Sequence, residues 1–296
     1  MIDSLPKDFP NYFADAEVGY QDALFVIFGV CYDETSTFRK GSSHGPNAIR
    51  TASWNFESYN LLTGVNFRNI PVHDYGNVLL DAKAKPSEMV ETVRTVADRF
   101  IKDGKIPILL GGEHSITPSV VHGFPKDIAV VSLDAHLDFR EEYKGERFNH
   151  ACTIRRVSDH VPIDNILVCG VRSAEKNEFD DALRLGLDII DSIYINKKGM
   201  EPILSAIKRK FSGKKIYLTI DIDAVDPGFA PGTGTPEPFG LSPFDILTLI
   251  DEIADRLIGF DVVEVSPPFD HGETAMLAAK LVRYGIERIG QKKGLV

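Results

Sequence analysis

Three side chains of the kinds that bind metal ions alternate at the end of a buried apolar run. In "VSLDAHLDF" (131–139), Asp134, His136 and Asp138 occupy every second position. Alternate residues of an extended segment project to the same side, so these three side chains can converge on one point. Carboxylates and imidazoles in this arrangement are typical ligands of divalent metal ions.

Residues of the same kinds follow three other apolar runs. Asp221 and Asp223 follow "KIYLTI", His114 follows "IPILLGGE", and "DVV" leads directly into Glu264. An aspartate after a strand is often only a turn former, and a single histidine is more often a hydrogen-bonded residue than a ligand. Turn formation does not explain two alternating pairs and a further histidine together. The combination therefore predicts a metal site.

The number of candidate ligands indicates two ions rather than one. Four carboxylates and two imidazoles, with no thiolate among them, exceed the needs of one tetrahedral zinc site. The oxygen-rich set favours Mn²⁺, with Fe²⁺, Co²⁺ or Zn²⁺ as less favoured alternatives. Because divalent ions lower the pKa of bound water, the predicted chemistry is metal-assisted hydrolysis. The predicted ligands are His114, Asp134, His136, Asp138, Asp221 and Asp223.

The elements that must position these residues alternate between strands and helices. Continuous apolar runs are typical of parallel strands that are covered on both faces, and helical patterns lie between them. Ligands of such sheets bind beyond the carboxyl ends of the strands, where the candidate residues lie. The predicted strands begin near residues 23, 106, 128, 165, 215 and 259, and the predicted helices span 87–103, 199–211, 242–257 and 273–289.

This alternation predicts an α/β fold, a three-layer αβα sandwich with a mostly parallel central sheet. The helix near residue 242 has the clearest start, with Ser242 as N-cap, Pro243 in the first turn and Asp245 three residues after the cap. No segment of the sequence resembles a linker. We therefore expect a single domain over residues 1–296.

Composition excludes some classes of partner. The 33 basic and 43 acidic residues give a net charge of −10, which argues against nucleic acid and anionic membranes as partners. A cationic small substrate fits this charge, and so does simple solubility. No apolar run approaches the roughly 20 residues of a membrane helix, so we expect a cytoplasmic protein. Three separated cysteines predict no disulfide framework.

Six motifs resemble the ureohydrolase superfamily of arginases and agmatinases: "GGEHS", "SLDAHLD", "NHAC", "TIDIDAVDP", "APGTGTPEP" and "EVSPPFD". They cover most of residues 105–270, and a looser match spans 32–50. The resemblance implies an arginase-like sheet of about eight strands, two Mn²⁺ per subunit, and a homotrimer or homohexamer. It assigns His114 and Asp138 to one ion and His136 and Asp221 to the other, with Asp134 and Asp223 shared.

The resemblance also implies two catalytic residues. Glu264 matches the carboxylate that pairs with the substrate guanidinium. His150 matches the histidine that passes a proton to the departing amine, a task suited to a pKa near neutrality. Glu113 departs from the aspartate that the family more often has in this motif, and we expect it to lie behind the metal ligands.

The loop "DFREEYKGERFNHAC" (138–152) bears on the substrate. Arg140 stands where arginases have an asparagine, and the loop is short and acidic, as in agmatinases. Arg140, Glu142 and Glu146 are the candidate substrate-loop residues; the glutamates could attract a cationic tail or form a solvated turn. We expect agmatine to be hydrolysed to urea and putrescine. N1-aminopropylagmatine, guanidinobutyrate and arginine are the alternative substrates.

Two other classes of protein compete with this interpretation. A catalytically silent binding or regulatory relative would be expected to lack some of the ligands, yet all six positions, His150 and Glu264 hold competent residues. A dinuclear phosphoesterase should carry arginine or lysine near the metals, and only Arg140 and Arg172 are candidates. Glu264 would repel a phosphate. Hydrolysis of a cationic guanidine is therefore favoured.

Overall fold

A nine-stranded sheet forms the centre of the part of the chain that the computed structural model describes, residues 7–8, 12–81 and 83–296. Eight of its strands run parallel, and the short first strand pairs antiparallel at one edge. The sheet strands are β1 Lys7–Asp8, β2 Phe25–Gly29, β5 Val72–Val78, β6 Ile106–Leu110, β7 Ala129–Leu133, β8 Ile166–Val171, β9 Asp188–Asp191, β10 Ile216–Asp221 and β11 Leu257–Val263, while β3 Tyr59–Asn60 and β4 Val65–Asn66 form a separate antiparallel pair.

Helices cover both faces of this sheet, which confirms the three-layer αβα prediction. One apolar core joins the sheet to α1, α6, α7, α8 and α9, and the other joins it to α2, α3, α4 and α5. The helices are α1 Gly45–Ser53, α2 Pro86–Lys102, α3 Thr117–Val121, α4 Thr153–Ser158, α5 Lys176–Leu185, α6 Ser192–Lys198, α7 Glu201–Lys210, α8 Pro243–Ile253 and α9 Glu273–Lys292.

The strand order places the candidate residues at adjacent strand ends. It runs β1-β5-β2-β6-β11-β10-β7-β8-β9, so β6, β11, β10 and β7 are neighbours. The chain crosses from β6 to β7 and later fills the space between them with β10 and β11. Such a reversal of strand order opens a crevice beyond the carboxyl ends of the strands, where ligands of α/β sheets bind.

The apolar runs of the sequence are the central strands. Every residue of β2, β6, β7, β8 and β10 is buried, because helices cover these strands on both sides. The strands β5 and β9 were not predicted. The former carries polar residues in "VHDYGNV", and the latter is a half-exposed edge strand with aspartate at both ends.

The clearest helix start is confirmed, since Ser242 accepts the backbone N–H of Asp245 and the Asp245 side chain accepts the N–H of Ser242. This helix ends at Ile253, before the expected residue 257, because β11 already begins at Leu257. Among the described residues, none of the helices combines the length and the apolar character that crossing a membrane requires.

The last helix is anchored to the start of the described chain through buried charge. Arg283 of α9 is fully buried and lies 2.9 Å from Asp15 and 3.4 Å from Glu287. Its guanidinium also lies over the ring of Phe67, 4.4 Å from the ring centroid. Buried ions need such partners, because an unpaired charge in the interior is strongly unfavourable.

Candidate metal centre

Three strands from the middle of the sheet deliver the predicted ligands to one point. His114 follows β6, Asp134 follows β7, and Asp221 ends β10. The glycines before His114 are required by close packing: a Cβ on Gly112 would lie 2.0 Å from the carbonyl oxygen of Tyr32. The "GGEHS" motif therefore lets the chain turn tightly between β6 and the ligand.

The ligand atoms form two groups that share one carboxylate. His114, Asp134 and Asp221 form the first group, and Asp134, His136 and Asp223 form the second; within each group the atoms lie within 4.8 Å of one another. A carboxylate common to both groups is suited to bridging two ions. The separation from His136 Nδ1 to Asp223 Oδ2 is 3.0 Å.

Two assignments implied by the resemblance differ from this geometry, and one of them is Asp223, which was expected to be shared but lies only in the group of His136. Asp221 was expected with His136, but its Oδ2 lies 3.3 Å from Nδ1 of His114. Asp221 is the last residue of β10, so its side chain starts deeper in the centre than that of Asp223, two residues later. Asp138 is close to His114 as expected, with its Oδ2 3.4 Å from Nδ1.

The chemistry of these residues fits a pair of divalent cations. His114 Nδ1 and Asp134 Oδ2 are buried and have no hydrogen-bond partner. Burial and the charges of Asp223 and Asp134 raise the pKa of Asp221 well above its usual value. Buried acceptors without partners and excess negative charge are costly, and bound cations relieve both.

A hydroxyl and a carboxylate behind His114 set its orientation. Nε2 of His114 lies 2.9 Å from Thr219 Oγ1, and Thr219 donates its hydroxyl to Asp261 Oδ1 at 2.5 Å. Since Thr219 has only one proton to donate, its oxygen accepts from Nε2–H, and Nδ1 keeps its lone pair for a metal. Sequence reasoning missed Thr219 and Asp261; their only signal is a polar residue inside a buried strand.

Two site residues have strained backbones. Asp138 and Glu264 have φ angles of 50° and 61°, in the left-handed region. Outside glycine, such conformations cost about 1–3 kcal/mol each and concentrate at functional sites. Hydrogen bonds hold Glu264 in place, because its N–H donates to Gly112 O at 2.8 Å and its Oε1 accepts the N–H of His114 at 2.8 Å.

His150 begins a short 3-10 helix, His150–Cys152, that leads directly into α4. Its Nδ1 lies 3.1 Å from Thr35 Oγ1, and its ring meets the Tyr143 ring edge-on at 6.2 Å. Burial, followed by the electrostatic influence of His136 and His114, lowers the pKa of His150 to about 4. The near-neutral pKa expected from its assigned role is therefore not found. At neutral pH the imidazole is uncharged and can accept a proton.

A cavity of about 280 Å³ opens over the ligands. Arg140 lines it, pairs with Glu178 Oε2 at 3.1 Å and lies over the Tyr143 ring at 4.5 Å. Other residues of the predicted site in its lining are His136, Asp138, His150, Asp221, Asp223 and Glu264.

The two glutamates of the predicted substrate loop lie elsewhere. Glu142 is exposed and does not line the cavity. Glu146 lines a neighbouring cavity, where its Oε1 accepts the N–H of Phe148. Two other carboxylates line the wall and were missed by sequence reasoning: Glu178, which pairs with Arg140, and Glu175. Glu175 is exposed at the N-cap of α5.

Arg172, the other candidate phosphate ligand, forms hydrogen bonds with backbone carbonyl groups. Its guanidinium donates to four carbonyl oxygens, with the shortest contact, 2.6 Å, to Asp223. The structure therefore gives Arg172 a structural role, which removes one support for phosphoester hydrolysis. The remaining contacts are with the carbonyls of Gly170, Ala224 and Glu237.

Comparison with known proteins extends these observations. The family model described as "Arginase family" matches residues 23–286. The chain is 37% identical to an agmatinase of Halalkalibacterium halodurans, over 89% of this chain and 91% of the relative. It is 34% identical to an N(1)-aminopropylagmatine ureohydrolase of Thermococcus kodakarensis, over 90% of this chain and 91% of the relative. The crystal structure of an agmatine ureohydrolase of Thermoplasma volcanium superposes with a TM-score of 0.90 at 40% identity, covering 96% of this chain and 95% of the other.

Proposed function

Because the chain belongs to the arginase family, we propose that it hydrolyses the guanidinium group of agmatine, giving urea and putrescine. One observation carries this proposal most directly. Six candidate metal-ligand side chains converge beneath a cavity whose wall contains a buried carboxylate, Glu264, and an uncharged imidazole, His150. This arrangement suits hydrolysis of a cationic substrate.

The proposed cofactor is a pair of Mn²⁺ ions. The residues that would hold them are carboxylates and imidazoles without thiolates, a set that favours Mn²⁺ over softer ions. When bound, such ions polarise the substrate and lower the pKa of a water molecule. The six proposed ligands are His114, Asp134, His136, Asp138, Asp221 and Asp223.

Glu264 is proposed to hold the guanidinium. Its Oε1 is fixed by the N–H of His114, so the carboxylate has a set direction in the cavity. Burial and the charge of Glu113 raise the pKa of Glu264 well above its usual value. A guanidinium beside this carboxylate would compensate its charge and align the central carbon through charge-assisted hydrogen bonds.

His150 is proposed to carry the proton. In the overall reaction a water oxygen bonds to the guanidinium carbon, the bond from that carbon to the substituted nitrogen breaks, and this nitrogen takes up a proton as it leaves. An imidazole that is uncharged at rest can take the proton released by water and pass it to the leaving nitrogen. His150 lines the cavity, whereas Thr35, which contacts its Nδ1, does not.

The tail of the substrate is proposed to meet Glu175. Arg140 is already paired with Glu178, and Glu141 is held by Arg147 and Arg155. Glu175 has no ion-pair partner among the described residues, so its charge is available to a cationic tail. The same carboxylate would serve N1-aminopropylagmatine, whose longer tail is also cationic.

The experiment that tests this function measures urea release from four substrates by Mn²⁺-loaded protein. Agmatine, N1-aminopropylagmatine, 4-guanidinobutyrate and arginine are compared side by side, with a chelated sample and Asp223→Asn as controls. We expect metal-dependent urea from agmatine and little from arginine. A stronger preference for N1-aminopropylagmatine would make that compound, rather than agmatine, the substrate. The absence of urea from all four compounds would refute the function.

The cellular setting extends the proposal. Putrescine as product would give the enzyme a part in polyamine synthesis, and the family resemblance supports a cytoplasmic homotrimer or homohexamer. Light scattering coupled to gel filtration measures the mass directly. A monomer mass near 32.8 kDa would contradict the oligomer.

A further inference from the structure

We infer that Thr35, held by Glu113, is a positioning residue that fixes the imidazole of His150 as the Nδ1–H tautomer and leaves Nε2 as the acceptor toward the substrate. Its catalytic consequence rests on the proposed ureohydrolase function. The inference starts from the contacts of a single hydroxyl, Thr35 Oγ1. This oxygen has three polar neighbours, which equals the hydrogen-bonding capacity of a hydroxyl group.

The direction of each hydrogen bond follows from the chemistry of the partners. Thr35 Oγ1 lies 2.6 Å from Glu113 Oε1, and the backbone N–H of His150 donates to Thr35 Oγ1 at 3.1 Å. A hydroxyl has one proton, and the Glu113 carboxylate takes it. The third neighbour, His150 Nδ1 at 3.1 Å, must then be a donor, because Thr35 has no second proton to offer.

Glu113 is arranged as an acceptor on both oxygens. Its Oε2 accepts the backbone N–H groups of Thr35 and Ser36 at 2.7 and 3.1 Å, and its Oε1 also accepts the hydroxyl of Ser115 at 2.6 Å. Backbone N–H groups only donate, so they orient the carboxylate with its oxygens toward the loop. Glu113 is fully buried, which shields these hydrogen bonds from water.

The same contacts also fix the position of the ring. The two backbone bonds to Glu113 tie the loop of Thr35 to the residue that precedes His114, and the ring of Tyr143 contacts His150 edge-on. With Nδ1 engaged, Nε2 is the ring nitrogen left to meet the substrate in the cavity. The uncharged state of His150 agrees with this assignment. A histidine tautomer set by an oxygen-bearing partner is a known way to prepare a general base.

The tautomer can be measured without substrate. Long-range ¹H–¹⁵N NMR distinguishes Nδ1–H from Nε2–H, and comparison with His150→Asn assigns the signal of His150. The spectra are recorded on protein loaded with diamagnetic Zn²⁺ and on metal-free protein. We expect Nδ1–H in the wild type and in Thr35→Ser, and loss of this preference in Thr35→Val, which keeps the shape of the side chain but removes the hydroxyl.

Kinetics of the Mn²⁺-loaded enzyme supply the second measurement. General acid–base catalysis contributes roughly 100- to 10,000-fold, so Thr35→Val should lower kcat by at least about 10-fold with little change in KM. Thr35→Ser should recover most of kcat, and the pH profile of kcat/KM should change only in Thr35→Val. Thr92→Val is the matched control, because the Thr92 hydroxyl is exposed and bonds only within α2.

The outcomes separate this inference from the proposed function. An Nε2–H tautomer in the wild type would overturn the inference, since it would mean that Glu113 carries a proton and the chain of donors runs in reverse. An unchanged tautomer and kcat in Thr35→Val would also overturn it. If no substrate is hydrolysed, the function fails, while the NMR result still decides the tautomer. Because the wild-type spectrum and its assignment through His150→Asn do not depend on Thr35→Val, poor folding of Thr35→Val leaves that decision intact.

Discussion

At the scale of single residues, threonine hydroxyls beside acidic side chains orient two histidines of the site. Thr219 and Asp261 stand behind His114, and Thr35 and Glu113 stand behind His150. In each pair the carboxylate takes the hydroxyl proton, so the hydroxyl oxygen must accept from the imidazole. The two histidines consequently present opposite ring nitrogens to the centre, Nδ1 from His114 and Nε2 from His150.

The hydroxyl behind His114 gives the first prediction. Thr219→Val keeps the shape of a strand residue but removes the acceptor of Nε2–H, so the tautomer that offers Nδ1 to a metal loses its support. Removal of such a partner typically weakens metal affinity by about 10- to 100-fold. Titration of Mn²⁺ against a competing chelator measures this change. Thr248→Val is the control, since that hydroxyl bonds only within α8; equal affinities in the two variants would contradict the prediction.

The carboxylate at the cavity wall gives the second prediction. Glu175→Gln removes one charge and keeps a side chain of the same length at the N-cap of α5. Exposed ion pairs contribute about 0.2–1 kcal/mol, so KM for agmatine should rise by about 1.4- to 5-fold while kcat is retained. KM for 4-guanidinobutyrate, whose tail is anionic, should not rise. A parallel increase in KM for both substrates would show that the charge of Glu175 does not distinguish a cationic tail from an anionic one.

At the scale of elements, the site could be predicted where it lies at strand ends. The ligands follow continuous apolar runs, and parallel strands place such residues at one edge of the sheet. Thr219 and Asp261 were not predictable in this way, because they lie inside β10 and β11, where threonine is an ordinary strand residue. Their role depends on which strands are neighbours, and strand order is set by tertiary packing.

The same reasoning explains which elements were missed. The strand β5 is buried but carries Asp74, which bonds to Arg50 of α1, so its sequence lacks a continuous apolar run. The strand β9 lies at the sheet edge and is only half-buried, so its four residues give a weak pattern. Strands were predictable where burial depends on apolar contacts and were missed where it depends on ion pairs or is incomplete.

The start of α8 gives the third prediction. Ser242 is the N-cap, and its hydroxyl oxygen accepts the N–H of Asp245. Ser242→Ala leaves that N–H without its acceptor and should lower the free energy of unfolding by about 1 kcal/mol, with activity unchanged. Chemical denaturation measures the change. The control is Ser205→Ala in the middle of α7, where alanine is the better helix former and no loss of stability is expected.

At the scale of the whole molecule, buried charge connects distant parts of the chain. Asp15 lies near the start of the described residues, whereas Arg283 and Glu287 belong to the last helix. Burial opposes the charge of Asp15, but its hydrogen bonds with Arg68 and Arg283 lower its pKa below the usual value. Ionised Asp15 therefore contributes stability above the pKa it has when unfolded, and this contribution is lost as the pH falls through its folded value.

This linkage gives the fourth prediction. Asp15→Asn leaves Arg283 buried with Glu287 as its remaining carboxylate, and the free energy of unfolding at pH 7 should fall by about 3 kcal/mol. The difference from the wild type should shrink below about pH 4, where the unfolded chain protonates this aspartate. Denaturant unfolding across pH 3–7 measures both effects. A difference that is independent of pH would contradict the role assigned to the charge.

The metal centre joins the ends of β6, β7 and β10 in the middle of the sheet, so its ions should stabilise the whole fold, and this is the fifth prediction. Without cations, burial and the repulsion between neighbouring carboxylates both oppose ionisation, and they raise the pKa values of Asp138 and Asp221. A ligand at 100 times its Kd adds about 2.7 kcal/mol to the free energy of unfolding for one site. Removing Mn²⁺ with a chelator should therefore lower the Tm by several degrees.

Asp223→Asn separates this effect from general effects of the chelator. The substitution keeps the shape of the side chain but removes one ligand charge from the group that contains His136. Its Tm should respond less to Mn²⁺ than that of the wild type, and its metal content should be lower. If the wild type binds Mn²⁺ tightly without any rise in Tm, the unfolded chain must bind the ion equally well, and the preformed centre at the strand ends would not be the source of affinity.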